Sequence, residues 1–376
     1  MNIHNTHIRP LVLAVAVALA SGLFARQSVA AGEETELKAS FLALCDAGCP
    51  LVRGDAQSMV RRGHRAFYWD SYTVRALCVA YDMTGKTEYL EASKVWSSGM
   101  VEFQKGMNPK GAYYIQYNRK PGEKTGPWYV ADSSSIALGV LATAVRCPEP
   151  KEKARLLNSV RFFARLVAKN WVLPSGGVAN GLWPKSDKEW WCSTGIFGSV
   201  AFHLYAETGD RSFLRIGLGT IDWLNQHDLL GEKDYPMPTV VMYSLEAYSA
   251  GLPYLEKGSP RQQAALAQIA KLNEWMMANF GGRAGASYVT QWGSKFGGLP
   301  FHLFIQARFM DNPRLRDIGD AELGYVAKVL QESPASDYRD QLGLFAMMSY
   351  AERLSPGSID RNSKQDPKNP VGRKGE

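Results

Sequence analysis

Helical periodicity runs through most of the chain, and two kinds of helix alternate. One kind is apolar nearly all round. The run Ile136-Ala137-Leu138-Gly139-Val140-Leu141-Ala142-Thr143-Ala144 carries no charge on any face, as expected of a helix covered on every side. The other kind, as in Glu152–Ala168, places charges along one face and apolar residues along the other. The spacing predicts an opening helix over about Glu36–Val60, interrupted near Gly48-Cys49-Pro50. Five pairs follow: Trp69–Asp82 with Glu88–Gln104, Tyr129–Cys147 with Lys151–Asn170, Trp191–Glu207 with Ser212–Asn225, Pro238–Ala250 with Arg261–Phe280, and Leu299–Met310 with Arg314–Gln331. A last helix covers Asp337–Leu354, and strand signals are sparse.

The first member of each pair is poor in charge and rich in Ala, Gly and Ser, so it belongs inside; the second belongs outside. One joining turn is written twice. Tyr81-Asp82-Met83-Thr84-Gly85-Lys86-Thr87-Glu88-Tyr89-Leu90 returns as Tyr205-Ala206-Glu207-Thr208-Gly209-Asp210-Arg211-Ser212-Phe213-Leu214. Repetition of a helical hairpin points to a ring or a solenoid. Six inner helices and five outer ones can be counted. If the opening helix pairs with the last inner helix, the ring closes. Such a closed ring of six hairpins resembles the (α/α)6 toroid of many carbohydrate-active enzymes, which makes the expected fold class all-α. An open solenoid is the rival, and it would present a concave groove instead of a funnel.

The turns after inner helices are short, whereas the links before them are long: Gly106–Trp128, Val172–Trp190, Leu229–Pro236 and Gly281–Gly298. Long loops carry function, so the active mouth is expected at the N-terminal ends of the inner helices. These loops and helix starts are rich in aromatic and amide side chains: Tyr68 and Trp69; Tyr113 and Tyr117; Trp128 and Tyr129; Trp183, Trp190 and Trp191; Tyr288, Gln291 and Trp292. Aromatic faces stack on sugar rings and amides bind hydroxyls, which makes these the expected substrate-binding residues. Each ring, taken singly, also has a use in packing.

Two carboxylates stand at the starts of adjacent inner helices, Asp70 in Tyr68-Trp69-Asp70-Ser71 and Asp132 in Ala131-Asp132-Ser133-Ser134-Ser135-Ile136-Ala137. Glycoside hydrolysis uses a pair of carboxyl groups, one with a raised pKa. An N-cap is the competing use of Asp at such a position. The Asp132 segment resembles the Asp-Ser-Ser/Thr-Ala segment of unsaturated glucuronyl hydrolases. The resemblance implies that Asp132 is the general acid and base and that Asp70 assists. It departs from the family at Asp70, where Ser71 replaces the second Asp of an Asp-Asp pair. Lyases and uronyl epimerases use the same ring with different groups. For that chemistry the chain offers His302 and Arg339, with Tyr113, Tyr117, Tyr288, Asn180 and Gln291 in loops.

Composition narrows the setting. Arg9, the apolar run Leu11–Phe24 and Ser28-Val29-Ala30 form a signal-peptide pattern, with cleavage expected near Ala30 and a periplasmic or secreted destination. The apolar run is short for a membrane span, so no stable membrane insertion is expected. The expected organisation is a signal peptide over 1–30, a single toroid domain over 31–354 and a disordered polar tail over 355–376. Of the formal charge of +7, the signal and tail segments carry more than half, and no basic stripe marks a nucleic-acid binder. Cysteines 45, 49, 78, 147 and 192 lack zinc-type spacing; Cys45 and Cys49 are either a local disulfide or separate thiols. No phosphate loop, Gly-x-Ser-x-Gly elbow or His-Glu-x-x-His pair is present. The sequence thus leads to an exported glycoside hydrolase acting on a uronate-containing oligo- or polysaccharide, without metal or cofactor. A lyase or epimerase, and a non-catalytic glycan-binding protein of an export system, are the alternatives.

Overall fold

The structure, a computed structural model, describes residues 34–55, 67–115, 128–181, 188–231, 237–281, 293–332 and 337–364. Residues 1–30, expected to be a signal peptide, lie outside the described residues. Helix α1 covers 34–55. Then follow α2 (Phe67–Thr84), α3 (Thr87–Lys105), α4 (Val130–Arg146), α5 (Pro150–Asn170), α6 (Trp191–Thr208), α7 (Arg211–Gln226), α8 (Met237–Gly251), α9 (Pro260–Phe280), α10 (Leu299–Met310), α11 (Pro313–Glu332) and α12 (Asp337–Leu354). Among the described residues the only β-type pairings are isolated bridges, and no helix is long and apolar enough to cross a membrane.

The even-numbered helices form the inner ring. Each packs on the next, α2 on α4, then α6, α8, α10 and α12, and α12 returns to α2. Closure of that circuit excludes the open solenoid. Twelve consecutive residues of α4, from Val130 to Leu141, are all buried, whereas α5 buries one stripe of Leu156, Ser159, Val160, Phe163, Ala164 and Val167. The predicted inner and outer classes therefore separate as the two patterns require.

Helix α1 supplies the twelfth helix and covers the seam between α12 and α2. It runs without the expected break at Gly48-Cys49-Pro50. Proline removes one intrahelical bond, but Pro50 faces outward while Phe41, Cys45, Gly48 and Val52 form one continuous buried stripe. Gly48 has a packing role: a Cβ there would lie 2.7 Å from Thr73 Cγ2, with Met347 Cε 4.0 Å away. Asp46 fastens the other edge, accepting bonds of 2.8 Å from Lys86 Nζ and from Tyr89 Oη. Cys45 and Cys49 are separate thiols in this helix.

Inner helices approach closely where glycines face backbone. A Cβ on Gly195 of α6 would stand 2.3 Å from the Tyr243 carbonyl oxygen of α8. The repeated Thr-Gly turn uses glycine differently. Gly85 and Gly209 have φ values of 70° and 73°, and their N–H groups bond back to Tyr81 O and Tyr205 O. These are left-handed helix ends that glycine adopts without penalty.

Residues 355–364, expected to begin a disordered tail, instead form a strap across the short-turn mouth. Arg146 Nη2 donates to Ser358 O at 2.5 Å, and Arg361 Nη1 lies 3.0 Å from Asp82 Oδ1. Asp360 approaches His203 Nε2 at 3.5 Å, and Ser363 N donates to Glu207 at 2.8 Å. Polar composition suggested disorder, yet these charges meet complementary charges at the ends of α2, α4 and α6. Residues 365–376 lie outside the described residues.

The two glycine roles separate experimentally. Gly195→Ala is expected to lower stability by ~2–3 kcal/mol through helix displacement. Gly209→Ala has nothing within 4 Å of its Cβ and should cost only ~1 kcal/mol from its backbone conformation. Chemical denaturation of both variants checks the ordering.

Candidate active site

Short turns of two or three residues follow α2, α4, α6 and α10, and the long links precede α4, α6, α8 and α10. The loop-bearing mouth therefore lies at the N-terminal ends of the inner helices. There the segment before α6 folds back on itself through bridges Val172–Val178 and Ala179–Glu189, then reaches α4 through Tyr129–Gly181. Val130 N donates to Asn180 O at 2.9 Å, so the starts of α4 and α6 are fixed to one another. Gly181, at φ 119°, lets this strand-like segment pass within contact of the Trp128 backbone.

Asp132 lies in the first turn of α4, and the cap position is held by Tyr129 in extended conformation. The carboxyl is therefore not the N-cap. It is 8 % exposed. Burial drives its pKa up to about 7, against a smaller lowering by the Lys295 ammonium. A carboxyl in that range can hold a proton at neutral pH and release it to a substrate.

Asp70 is placed differently. It is fully buried, and Oδ2 accepts a 3.2 Å bond from Nε1 of Trp96 on outer helix α3. The structure thus joins Asp70 to outer helix α3, and buries Asp132 at the start of α4 within the electrostatic influence of Lys295. His302 is a buried wall residue between α8 and α10. Its Nδ1 lies 2.7 Å from Ser249 Oγ, and burial, followed by the Arg75 charge, lowers its pKa to about 3. It is neutral at physiological pH. Arg339 belongs to the first turn of α12, with its side chain outside the described residues.

The aromatic residues divide in the same way. Trp128 and Tyr113 are fully buried. Trp128 packs on Trp171 at 5.0 Å and donates to Tyr113 O, while Tyr113 Oη meets Ser159 Oγ at 2.8 Å. Both seal the loop to α5 instead of presenting a free face, because their large rings fill the gap between helix ends. Tyr68 with Trp69, and Trp190 with Trp191, form edge-on pairs at 5.6 and 6.2 Å. Tyr68, Tyr129 and Trp190 are half-buried at the mouth. Tyr117, Trp183, Tyr288, Gln291 and Trp292 lie outside the described residues.

Several lumen groups were missed in the sequence. Lys295 is 3 % exposed, with its Nζ 5.2 Å from the Tyr243 ring centroid and 4.8 Å from that of Phe345. Burial lowers its pKa to about 8, opposed by Cys192, Asp132 and Glu246. Glu246 forms a 3.2 Å ion pair with Arg75, and both are buried. Burial pushes the Tyr72 and Tyr243 hydroxyls well above their ordinary range. The available signal was a charge inside an otherwise apolar helix, at Arg75 and Glu246, where burial demands a partner.

No protein-family model matches the sequence, and no curated protein matches it. Solved structures do match. A glycoside hydrolase family 76 mannosidase from Bacteroides thetaiotaomicron aligns with TM-score 0.55 at 12% identity, covering 78% of this chain and 88% of that one. An α-1,6-mannanase of the same family from Salegentibacter sp. aligns with TM-score 0.57 at 14% identity, covering 85% and 98%. That structure is a variant inactivated by replacing two consecutive aspartates, in complex with α-1,6-mannotetrose. Dfg5 from Chaetomium thermophilum, in complex with glucosamine, aligns with TM-score 0.57 at 13% identity, covering 85% and 90%. The fold is an (α/α)6 toroid. The neighbours are family 76 mannan-active enzymes and related rings, and at these identities the likeness extends to the fold alone.

The buried acid has a thermodynamic signature. Between pH ~4 and 7 native Asp132 holds a proton that the unfolded chain has released, so stability falls as pH rises through that window. Asp132→Asn removes this dependence. The variant should gain ~3 kcal/mol on wild type between pH 5 and pH 8, read by denaturant titration at both values. Equal pH dependence in the two proteins would refute the raised pKa.

Proposed function

We propose that the protein is an exported glycoside hydrolase acting on uronate-containing oligo- or polysaccharide, with Asp132 as the catalytic acid. The observation that carries this reading is a buried carboxyl at the loop-bearing mouth whose pKa lies near 7. The toroid neighbours that act on or bind sugars support a glycan substrate. The signal-peptide pattern at residues 1–30 supports a periplasmic or secreted site of action.

In the proposed step, the Asp132 proton passes to the leaving glycosidic oxygen as the C1–O bond breaks. Water adds to C1, and its released proton returns to the Asp132 carboxylate. One group thus serves in turn as acid and base. The sequence has no pair of consecutive aspartates, and Ser133 follows Asp132. This favours a route with one proton-transfer group over the arrangement implied by the doubly substituted mannanase. Asp70, bound to Trp96, is assigned the supporting role that the glucuronyl hydrolase resemblance implies: it holds α3 against α2 beside the acid. Tyr68, Trp69, Tyr129, Trp190 and Trp191 are the proposed sugar contacts.

A panel of acidic and neutral glycans, read by reducing ends and by ultraviolet absorbance, tests the reading. Hydrolysis is expected on a uronate-containing member, with kcat/KM falling above pH ~7 as the free acid ionises. Asp132→Asn should lose about 100-fold or more in kcat, and Asp70→Asn should lose stability before turnover. An ultraviolet-absorbing unsaturated product would instead indicate a lyase. Binding with no product across the panel would indicate a glycan-binding protein.

A further inference from the structure

A cavity of about 380 Å³ lies at the short-turn mouth, within the size range of small-ligand sites. It opens where the C-terminal ends of α10 and α12 meet the α10–α11 turn and the strap. Phe304, Ala307, Pro313 and Pro356 supply its apolar lining. Part of its polar lining is already matched. Glu352, 1 % exposed, accepts bonds from Arg308 Nη2 at 3.0 Å and from Gly357 N at 3.1 Å, and Arg353 Nε donates to Asp320. These bonds tie α10, α11, α12 and the strap together around the cavity.

The rest of the polar lining is not matched within the chain. Among the described residues, the side chains of Asp311, Asn312 and Arg316 have no hydrogen bond or ion pair, and Asp311 does not pair with Arg316. Exposed polar groups are ordinary by themselves, but the backbone at Asp311 is not. Asp311 is the one non-glycine at positive φ among the described residues, and it ends α10 at φ 49° and ψ 44° with its N–H bonded to Ala307 O. Gly85 and Gly209 hold the same place at the ends of α2 and α6, bonded back in the same way. At α10 the chain gives up the residue that adopts this conformation without penalty and places a carboxylate there. With no hydrogen bond of its own, that carboxylate serves no cap.

The unmatched groups are balanced in charge and mixed in function. The carboxylate offers acceptors, the guanidinium offers donors, and the amide offers both. Single exposed charges hold a free ion weakly, because water and salt screen them. A pyranose ring uses the whole set at once: hydroxyls around its edge donate and accept, and its C–H face covers apolar surface. We propose that this cavity is a second glycan site, which takes a neutral pyranose unit through Asp311, Asn312 and Arg316. It lies at the opposite end of the inner helices from Asp132, ~20 Å away along their length, so it holds sugar and takes no part in bond cleavage. The site goes beyond the hydrolase reading and does not depend on a uronate.

The probes are 1,5-anhydroglucitol, 1,5-anhydromannitol and 1,5-anhydrogalactitol, pyranose rings without a glycosidic bond, so binding is read in the whole protein without turnover. At least one is expected to shift the backbone amide NMR signals of Asn312, Arg316 and Gly357. Asp311→Gly keeps the left-handed turn and removes the carboxylate. It should weaken that binding by about tenfold or more, with a Tm no lower than that of wild type. Arg316→Gln should weaken it likewise. Full affinity retained in folded Asp311→Gly overturns the role of Asp311. No shift at these amides with any of the three rings in wild type overturns the site. Glucuronate, 2-amino-2-deoxyglucose and leucine test the ligand class: a tenfold preference for any of them over every neutral ring overturns the neutral pyranose assignment. Turnover on the glycan panel is a separate readout. Hydrolysis without ring binding here removes this site alone, and ring binding here without turnover leaves this site standing and removes the hydrolase reading.

Discussion

The structure depends on one constraint: a helix that is apolar all round has to be covered all round. Six such helices cannot cover one another in a flat layer, because the end helices would each expose a face. Closing them into a ring removes the ends, and an outer sleeve of amphipathic helices covers the remaining side. The seam where chain ends meet is the weak point of any such ring. Here α1 covers it, with Gly48 seated against Thr73 of α2 and near Met347 of α12. The opening helix is therefore the piece that converts a string of hairpins into a closed body.

Closure also sets the electrostatics. A ring lined by packed helices has a low-dielectric lumen, so charges within it are costly unless matched. The chain answers this in distinct ways at its two ends. At the short-turn mouth, Arg146, Arg361 and Asp82 meet in close ion pairs, and Arg308 bonds Glu352 at 3.0 Å. The strap of residues 355–364 brings Arg361 and Asp360 into this cluster. At the loop-bearing mouth, Asp132 and Lys295 both have pKa values moved toward neutrality by burial. Ion pairing does not cancel burial at the short-turn mouth either: burial raises the Glu352 pKa to about 7 despite Arg308. Cavity space is not confined to the loop-bearing mouth: a cavity of about 380 Å³ lies at the short-turn end, lined by Phe304, Arg308, Asn312, Arg316 and Glu352.

The helices and their inner or outer class were legible because burial writes itself into composition over 15–20 positions. Bounds fell within a few residues for α2 to α12, and the repeated Thr-Gly turn corresponds to matching left-handed helix ends at Gly85 and Gly209. Pro50 misled because a local rule about one hydrogen bond competed with a stripe of four buried positions, and the stripe prevailed. The tail misled for the opposite reason: its partners are distant in sequence, so composition alone could not reveal them. At the site, sequence picks out carboxylates at helix starts but not the direction in which they point. Asp70 and Asp132 look alike as letters. Their surroundings separate them: Asp70 accepts a bond from Trp96 of α3, whereas Asp132 feels the charge of Lys295. Lys295 was hidden because it sits among glycines that read as an ordinary turn.

Gly297 and Gly298 determine where the turn before α10 lies. A surface turn has no need for Gly297 and Gly298 to be as small as they are, since a solvent-facing Cβ meets nothing. Here the Cβ positions would collide with Leu342 O and Met242 Cε, so the turn is sunk between two inner helices. Sinking it costs backbone entropy at two glycines and desolvates a lysine. Other links also bury part of their length, as at Ala112–Ile115 and Val178–Asn180. The sunken turn sets the Lys295 ammonium against the rings of Tyr243 and Phe345. The proposed chemistry is sensitive to that placement, since the Lys295 charge lowers the pKa of Asp132 against the larger effect of burial. Helix closure, glycine wedge and acid thus form one chain of cause, from covered apolar faces to a buried setting that raises the Asp132 pKa.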